Sequence, residues 1–200
     1  MLKELITSIR FIAVLLLLCC VLYPALIWVA GRSVFRAEAE GSLIERDGKL
    51  IGSKLIGQGF SSPHYFHGRP SAVGYNASGS AGSNLGPTNP ALFARMADSV
   101  TSASVLDRLS TATIAFDRVT ASGSGLDPDI SPENARQQVA RIANQRGVDV
   151  QTVQTLVDKH TAPPLLGIFG TKRVNVLMLN LALDDELSTT GIHEKSQGRS

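Results

Sequence analysis

The longest apolar run in the chain lies near its start. From Phe11 to Ala30 the sequence FIAVLLLLCCVLYPALIWVA carries no charge, and about 20 residues at about 1.5 Å each span a hydrocarbon core of about 30 Å. The pattern predicts one bilayer-crossing helix, bracketed by Arg10 and Arg32, with Tyr23 and Trp28 toward the headgroup level. Pro24 has no N–H to donate to the Cys20 carbonyl, so a kink is expected there, together with a local or neighbouring donor. A cleaved signal peptide fits less well. The run is too long, and Trp28 stands where a small residue should precede a cut after Ala30. Lipoprotein processing fails too, because Leu18 precedes Cys19 and Cys19 precedes Cys20. An uncleaved anchor is expected.

Beyond Arg32 the stretch SVFRAEAEG can carry the helix out of the membrane, with Gly41 as its stop. Leu43 to Gln58 holds two apolar runs around Asp47-Gly48, a dipeptide at ease with positive φ, and reads as a β-hairpin. Phe60 to Pro90 is rich in Ser, Gly, Pro, Asn and aromatics and has neither helical nor strand periodicity. Asn89 with Pro90 starts a helix that directs Leu92, Met96, Val100 and Val105 near one face and ends before Thr111. Ile114 to Thr120 alternates as a weak strand, and SGSGLDPDISP forms a second glycine-rich turn ending on Ser131 as cap of a further helix. Ala135, Val139, Ile142 and Ala143 make that helix's apolar stripe, and Gly147 closes it. Asp149 starts a short helix with Val153, Leu156 and Val157 inward, ended before Pro163 and Pro164. RVNVLMLNLAL, from Arg173 to Leu183, is apolar on both faces and reads as a doubly buried strand, a buried helix remaining open.

These elements predict an α+β protein, a single N-terminal transmembrane helix followed by one mixed α/β extracytoplasmic domain. Residues 1–10 form a short cytoplasmic N-terminus, 11–30 the anchor, 31–187 the domain, and 188–200 a polar tail expected to be disordered. Charged residues make up 18% of the chain, below the roughly 25% usual for soluble domains, as a membrane segment requires. The net charge of +2 is too balanced for a nucleic-acid partner. Basic residues flank both ends of the run, so their bias does not set orientation. Long domains cross largely regardless of charge, and a short basic start fits an N-in signal anchor with the bulk outside. Both cysteines, Cys19 and Cys20, fall within the apolar run, which leaves the domain without a thiol for disulfide, zinc or nucleophilic chemistry.

Candidate chemistry in the domain lacks its partners. Ser80, Ser83, Ser122 and Ser124 each miss a glycine that a nucleophile elbow needs. Gly57-Gln58-Gly59 has Ser62 where a dinucleotide loop requires its third glycine, and Gly170-Thr171-Lys172 lacks the rest of a phosphate-binding loop. His64 and His67 have no further ligand nearby to complete a metal set, and packing or a turn explains them better. Asp127 and Asp129 around Pro128 look like half a calcium site without its other acids; turn duty is the better reading. For the two glycine-rich loops, ordered turns alone and contact with a partner or ligand stand equally open from the residues, since exported loops of this length usually owe their order to contacts.

Five ordered motifs carry a family resemblance: GSKLIGQGF (Gly52 to Phe60), YFHGRPSA (Tyr65 to Ala72), SNLGPTNP (Ser83 to Pro90), VTASGSGLDPDISP (Val119 to Pro132) and RVNVLMLNLAL. With the N-terminal anchor they resemble the C subunit of the bacterial Kdp potassium-transporting P-type ATPase, the KdpC family, nearly to Asp184. Asp98 to Asp117 and the residues after Leu187 carry no such motif.

The resemblance implies a non-catalytic subunit of a high-affinity ATP-driven potassium uptake pump, with no catalytic or metal site of its own. Its expected partners are a channel-like potassium-translocating subunit, an ATP-hydrolysing P-type ATPase subunit and a small membrane subunit. It implies a role in assembly and stability and as a catalytic chaperone that raises the pump's ATP affinity, with ATP met in complex with the pump subunit and K+ carried by the complex. The expected location is the bacterial inner membrane, single-pass, with the bulk periplasmic. Under that reading Phe11, Pro24, Ala25, Trp28 and Ala30 of the anchor pack against the channel-like subunit. Gly68, Arg69, Pro70, Ser83, Asn84, Leu85, Gly86, Thr88, Asn89, Ser122, Gly123, Ser124, Gly125 and Asp127 are the expected partner-contact loops. Two other readings stay open from the residues alone: a membrane-anchored periplasmic enzyme using a serine, His64 or His67, and Asp127, and a free-standing envelope binding module.

Overall fold

A computed structural model describes the backbone of residues 1–197 and the side chains of residues 1–186. The chain divides into two compact units, Met1–Ser53 and Lys54–Ser200.

The first unit is the anchor and a hairpin. Helix α1 (Leu2–Leu16), a π-helical stretch (Leu17–Leu22) and α2 (Tyr23–Val34) run without interruption. They form a 33-residue helix with a mean hydropathy of 2.7 in its most apolar window and no buried residue there, ample to cross a bilayer. The π-helical stretch ends at Leu22, two residues before Pro24, and the Tyr23 N–H donates to the Leu18 carbonyl, five residues back. The wider turn thus redistributes the hydrogen bonds around the donor that Pro24 lacks, which is how helices absorb proline without losing the ladder. Phe35 breaks the helix at φ −124°, the single turn α3 (Arg36–Ala39) follows, and Gly41 stops it at φ +89°. Strands β1 (Leu43–Arg46) and β2 (Lys49–Ser53) pair antiparallel across Asp47-Gly48. Both turn residues have positive φ, 52° and 71°, the conformation that suits a two-residue hairpin turn. The hairpin stops at Ser53, short of the expected Gln58; Ser53 Oγ donates to the Gly41 carbonyl and pins that end.

The second unit begins with a long segment free of helix and strand up to Asn89. Helix α4 (Pro90–Asp107) follows, capped by the Asn89 side chain, which accepts from the Ala91 N–H. It buries only Ala103 and Asp107, and Val105 is 76% exposed rather than inward. The single turn α5 (Phe116–Val119) replaces the strand expected over Ile114 to Thr120. Its Asp117 accepts from Ser131 N–H and Oγ and from Asn134 Nδ2. That tie to the next helix start, with Arg118 and Val119 both buried, overrides a weak alternation. Strand β3 (Asp129–Ile130) leads into α6 (Pro132–Arg146) and α7 (Val150–Lys159), capped by Ser131 and Asp149 as their sequences require. Gly147 ends α6 at φ +67°.

Strands β4 (Thr161–Ala162) and β5 (Arg173–Asn175) complete a three-stranded antiparallel sheet of order β3-β5-β4. The doubly buried strand expected from Arg173 to Leu183 is therefore three residues long, and α8 (Val176–Gln197) takes over. Asn175 explains the switch: its Oδ1 accepts from the Met178 N–H, an N-cap bond. Leu177, Leu179 and Leu183 of α8 enter the core with Val139 and Ile142 of α6 and Val153 and Val157 of α7. Of the tail expected from 188 to 200, residues 198–200 lie outside the described residues.

Candidate partner-contact surface

The irregular segment before α4 is held by side chains that imitate a strand partner. Asn180 on α8 accepts from the Phe66 N–H at 2.8 Å and donates to the Phe66 carbonyl at 3.0 Å. Gln138 on α6 does the same for His67, at 2.8 and 3.1 Å. Both amides are buried and Phe66 is fully enclosed, so these bonds satisfy backbone groups that water does not reach. Arg141 donates to the Pro63 and Tyr65 carbonyls, and Arg146 donates to the His64 carbonyl and stacks over the Tyr65 ring at 4.8 Å. Arg146 also pairs with Asp184 at 2.8 Å, where the Tyr65 hydroxyl donates as well.

Beneath this grip lies a buried charge cluster. The Asp107 carboxylate accepts from Arg118 at 2.7 Å and from Arg141 at 2.6 Å, and its side chain is fully shielded. Burial lowers the Arg118 pKa, with Asp107 opposing and Arg141 adding to the shift. His67, whose Nε2 lies 3.0 Å from the Ser62 carbonyl, is likewise pulled down from its ordinary value, mainly by burial. The neutral ring is thereby favoured.

The two glycine-rich loops come together. Arg69 pairs with Asp127 at 2.9 Å, the Ser122 N–H donates to the Pro70 carbonyl, and Ser71 Oγ donates to the Gly125 carbonyl at 2.6 Å. Ser80 Oγ reaches the Ser124 carbonyl at 3.0 Å, and the Gly57 N–H reaches that of Leu126 at 2.8 Å. Close approach explains two glycines in particular. A Cβ on Gly125, at φ +69°, would stand 2.6 Å from Val73 Cγ2 and 2.7 Å from the Ala81 carbonyl; one on Gly57 would collide with the Asp127 carbonyl.

The residues singled out from the sequence therefore sort into two groups. Gly68, Arg69, Pro70, Ser122, Gly125 and Asp127 are buried or half-buried in the seam. Asn84, Gly86, Thr88, Asn89, Gly123 and Ser124 are exposed, with Ser83 and Leu85 half-buried between them. Among the anchor residues, Phe11, Pro24, Ala25, Trp28 and Ala30 are all exposed. His64 lies beside Ser62 in a turn, with 3.2 Å between Nδ1 and the Ser62 Oγ, while Asp129 pairs with Arg173. No group of three or more His, Cys, Asp or Glu able to hold a metal ion occurs among the described residues.

Sequence reasoning missed one surface. Leu165 and Phe169 pair across a tight turn with Leu166 and Gly167 at positive φ. Leu165, Leu166, Ile168 and Phe169 are 61 to 80% exposed. The signal was present in PPLLGIFG: prolines and glycines around an apolar run that matches neither helical nor strand period.

Comparison with known proteins bears on residues throughout both units. The family model for KdpC, described as the K+-transporting ATPase c chain, matches residues 5–185. A potassium-transporting ATPase KdpC subunit from Gemmatimonas aurantiaca is 52% identical over 193 residues, covering 95% of this chain and 96% of that protein. The KdpC subunit of a Janthinobacterium species is 50% identical over 175 residues, 86% of this chain and 93% of that one. That of Ralstonia nicotianae is 52% identical over 168 residues, 82% of each. With the anchor, the interlocked loops and the strand-to-helix switch at Asn175 all inside the matched span, the chain belongs to the KdpC family of K+-transporting ATPase c chains.

Proposed function

We propose that this chain is the non-catalytic accessory subunit of an ATP-driven potassium uptake pump, held in the inner membrane by its single helix with the N-terminus cytoplasmic and the domain outside. One observation carries the reading in a chain of this family: a 33-residue apolar helix without a buried residue in its most apolar stretch. Such a helix takes its packing from lipid and from other membrane helices, here those of the channel-like potassium-translocating subunit, next to the ATP-hydrolysing and small membrane subunits.

The exposed loop residues Asn84, Gly86, Thr88, Asn89, Gly123 and Ser124 face the partners' outer surface in this reading. The apolar turn at Leu165–Phe169 joins them, since a contiguous exposed apolar patch marks an interaction site. Gly68, Arg69, Pro70, Ser122, Gly125 and Asp127 act indirectly, by fixing the seam that presents the outer residues. The chain contributes assembly and stability to the complex. A domain outside the membrane cannot touch cytoplasmic ATP. The raised ATP affinity proposed for the complex therefore arises by shifting a conformational equilibrium through the anchor and the outer contacts. K+ is the cargo of the complex; the described residues of this chain supply no dense ring of oxygens to coordinate it selectively.

Placement is testable directly. Ser124 is exposed, so Ser124→Cys in a Cys19→Ala/Cys20→Ala background should react with a membrane-impermeant maleimide in intact spheroplasts. Labelling only after lysis would place the domain inside and open a direct route to ATP.

A further inference from the structure

Helix α1 starts at Leu2, well before the uncharged run opens at Phe11, and passes into it unbroken. The lead-in from Leu2 to Arg10 is patterned differently from the run itself, which is apolar all round. Leu2, Leu5, Ile6 and Ile9 follow the i, i+3, i+4, i+7 spacing and share one face of about 100°. Lys3, Glu4, Thr7, Ser8 and Arg10 fill the remainder of the circumference. The four aliphatic side chains are 41 to 72% exposed, and no residue of α1 is buried among the described residues.

Charge is placed as sharply. Lys3 and Arg10 stand along one edge of the apolar face, two helical turns apart. Glu4, the only acid before Glu38, pairs with the Met1 amino group, so it leaves both cations uncancelled. The Thr7 hydroxyl donates back to the Lys3 carbonyl and asks for no outside acceptor. The unbroken helix Leu2–Val34 has 33 residues. That is about 50 Å, against about 40 to 45 Å for a bilayer with its headgroups, and a tilt within the usual range takes up the difference. The end of a tilted helix turns one side to the acyl chains and the other to headgroups and water, so a segregated end has one favoured rotation.

From this pattern we infer that the stretch Leu2–Arg10 docks on anionic phospholipid headgroups of the cytoplasmic leaflet. Leu2, Leu5, Ile6 and Ile9 sink toward the acyl chains, while Lys3 and Arg10 lay their methylene stems along the same boundary and reach lipid phosphates. Each cation gains from the negative surface of the leaflet. Glu4 and Ser8, away from the apolar face, stay in water. The bilayer is the occupant because the helix is continuous with the segment that crosses it, and because the apolar face and its cationic edge lie just where the all-round apolar surface stops. The stretch thereby fixes the tilt and rotation of the anchor, and so which side of Phe11 to Ala30 is turned toward other helices. The choice of leaflet rests on the N-in reading above; the lipid contact itself does not.

The test uses the full chain in nanodiscs, with Cys19→Ala and Cys20→Ala, carrying one spin label at a time through Glu4→Cys, Leu5→Cys, Ile6→Cys, Thr7→Cys, Ser8→Cys or Ile9→Cys. Collision with oxygen reports acyl surroundings, and collision with a polar nickel chelate reports water. Labels at Leu5, Ile6 and Ile9 should favour oxygen and those at Glu4, Thr7 and Ser8 the chelate. Phosphatidylglycerol in place of part of the phosphatidylcholine should widen that contrast. Lys3→Gln together with Arg10→Gln should abolish the widening, while a label introduced through Leu15→Cys, inside the span, stays among acyl chains. Equal access to the chelate at every lead-in position would overturn the docking. A contrast indifferent to phosphatidylglycerol, or to loss of the two cations, would overturn the anionic headgroup as its partner. Labels that are wet in the lone chain and immobilised only in a purified pump complex would give the face to a protein helix and sink the lipid contact. Any of these failures leaves co-purification with pump partners, the test of the subunit role, untouched.

Discussion

Asp107 carries a double electrostatic duty in the domain. Its shielded carboxylate is shared by Arg118 and Arg141, and Arg141 in turn holds the carbonyls of Pro63 and Tyr65. Asp107→Ala would strand two guanidinium groups in the interior. The expected loss is about 3 to 5 kcal/mol of domain stability, read from chemical denaturation, because breaking a buried pair leaves an uncompensated charge. A loss below about 1 kcal/mol would mean the arginines reach water instead. His67 sets a pH dependence. Burial, with Arg141 and Arg118 adding to it, lowers its folded pKa below the ordinary 6.5. The unfolded chain therefore binds a proton that the folded domain does not as the pH falls below about 6.5. Stability is complete above that value and declines beneath it. The melting temperature of the wild type should drop between pH 7.5 and 5.5 by more than that of His67→Gln; equal drops would contradict this origin. None of the wiring in this cluster could be read from the sequence. Asp107 lies in the stretch without family motifs, and its partners are 11 and 34 residues away, a distance over which periodicity says nothing.

Elements with local signals were the legible ones. Asn89-Pro90, Ser131-Pro132 and Asp149 each start a helix where their chemistry demands it, and Asp47-Gly48 makes the hairpin. The strand expected at Ile114–Thr120 is a helical turn, and of the strand-or-helix alternatives at Arg173–Leu183 the helix takes all but the first three residues, for one physical reason. Where tertiary contacts bury most of a helix's first two turns, as in α8, or fix a single turn, as Asp117 does for α5, local alternation no longer reports the backbone. The loops were half legible. Their glycine content pointed to close approach, and the structure directs much of that approach inward, at Gly125 and Gly57. The apolar turn Leu165–Phe169 went unread because its exposure is a property of the fold. Ile168 is 79% exposed, so Ile168→Asp should change domain stability by no more than about 0.5 kcal/mol while lowering recovery of pump partners on gentle solubilisation. Full recovery would remove this turn from the contact surface.

At the scale of the whole molecule, two features need something outside the chain. The helix Leu2–Val34 is uncharged from Phe11 to Ala30 and exposed throughout that run, which a membrane and its helices satisfy. The second unit presents a seam of interlocked loops, tied by Arg69 and Asp127, and beside it an irregular segment gripped by Gln138 and Asn180 instead of by a sheet. Rigidity of this kind lowers the conformational cost of docking. Membership of the KdpC family, which the anchor and loop motifs made legible before any coordinate, names the assembly in which both needs can be met. The deciding measurement is to tag the C-terminus, grow the source cells under potassium limitation, solubilise gently and identify what co-purifies. A channel-like potassium-translocating subunit and a P-type ATPase, with potassium-stimulated ATP hydrolysis in the same fraction, are expected. A chain recovered alone under those conditions would contradict the accessory-subunit role.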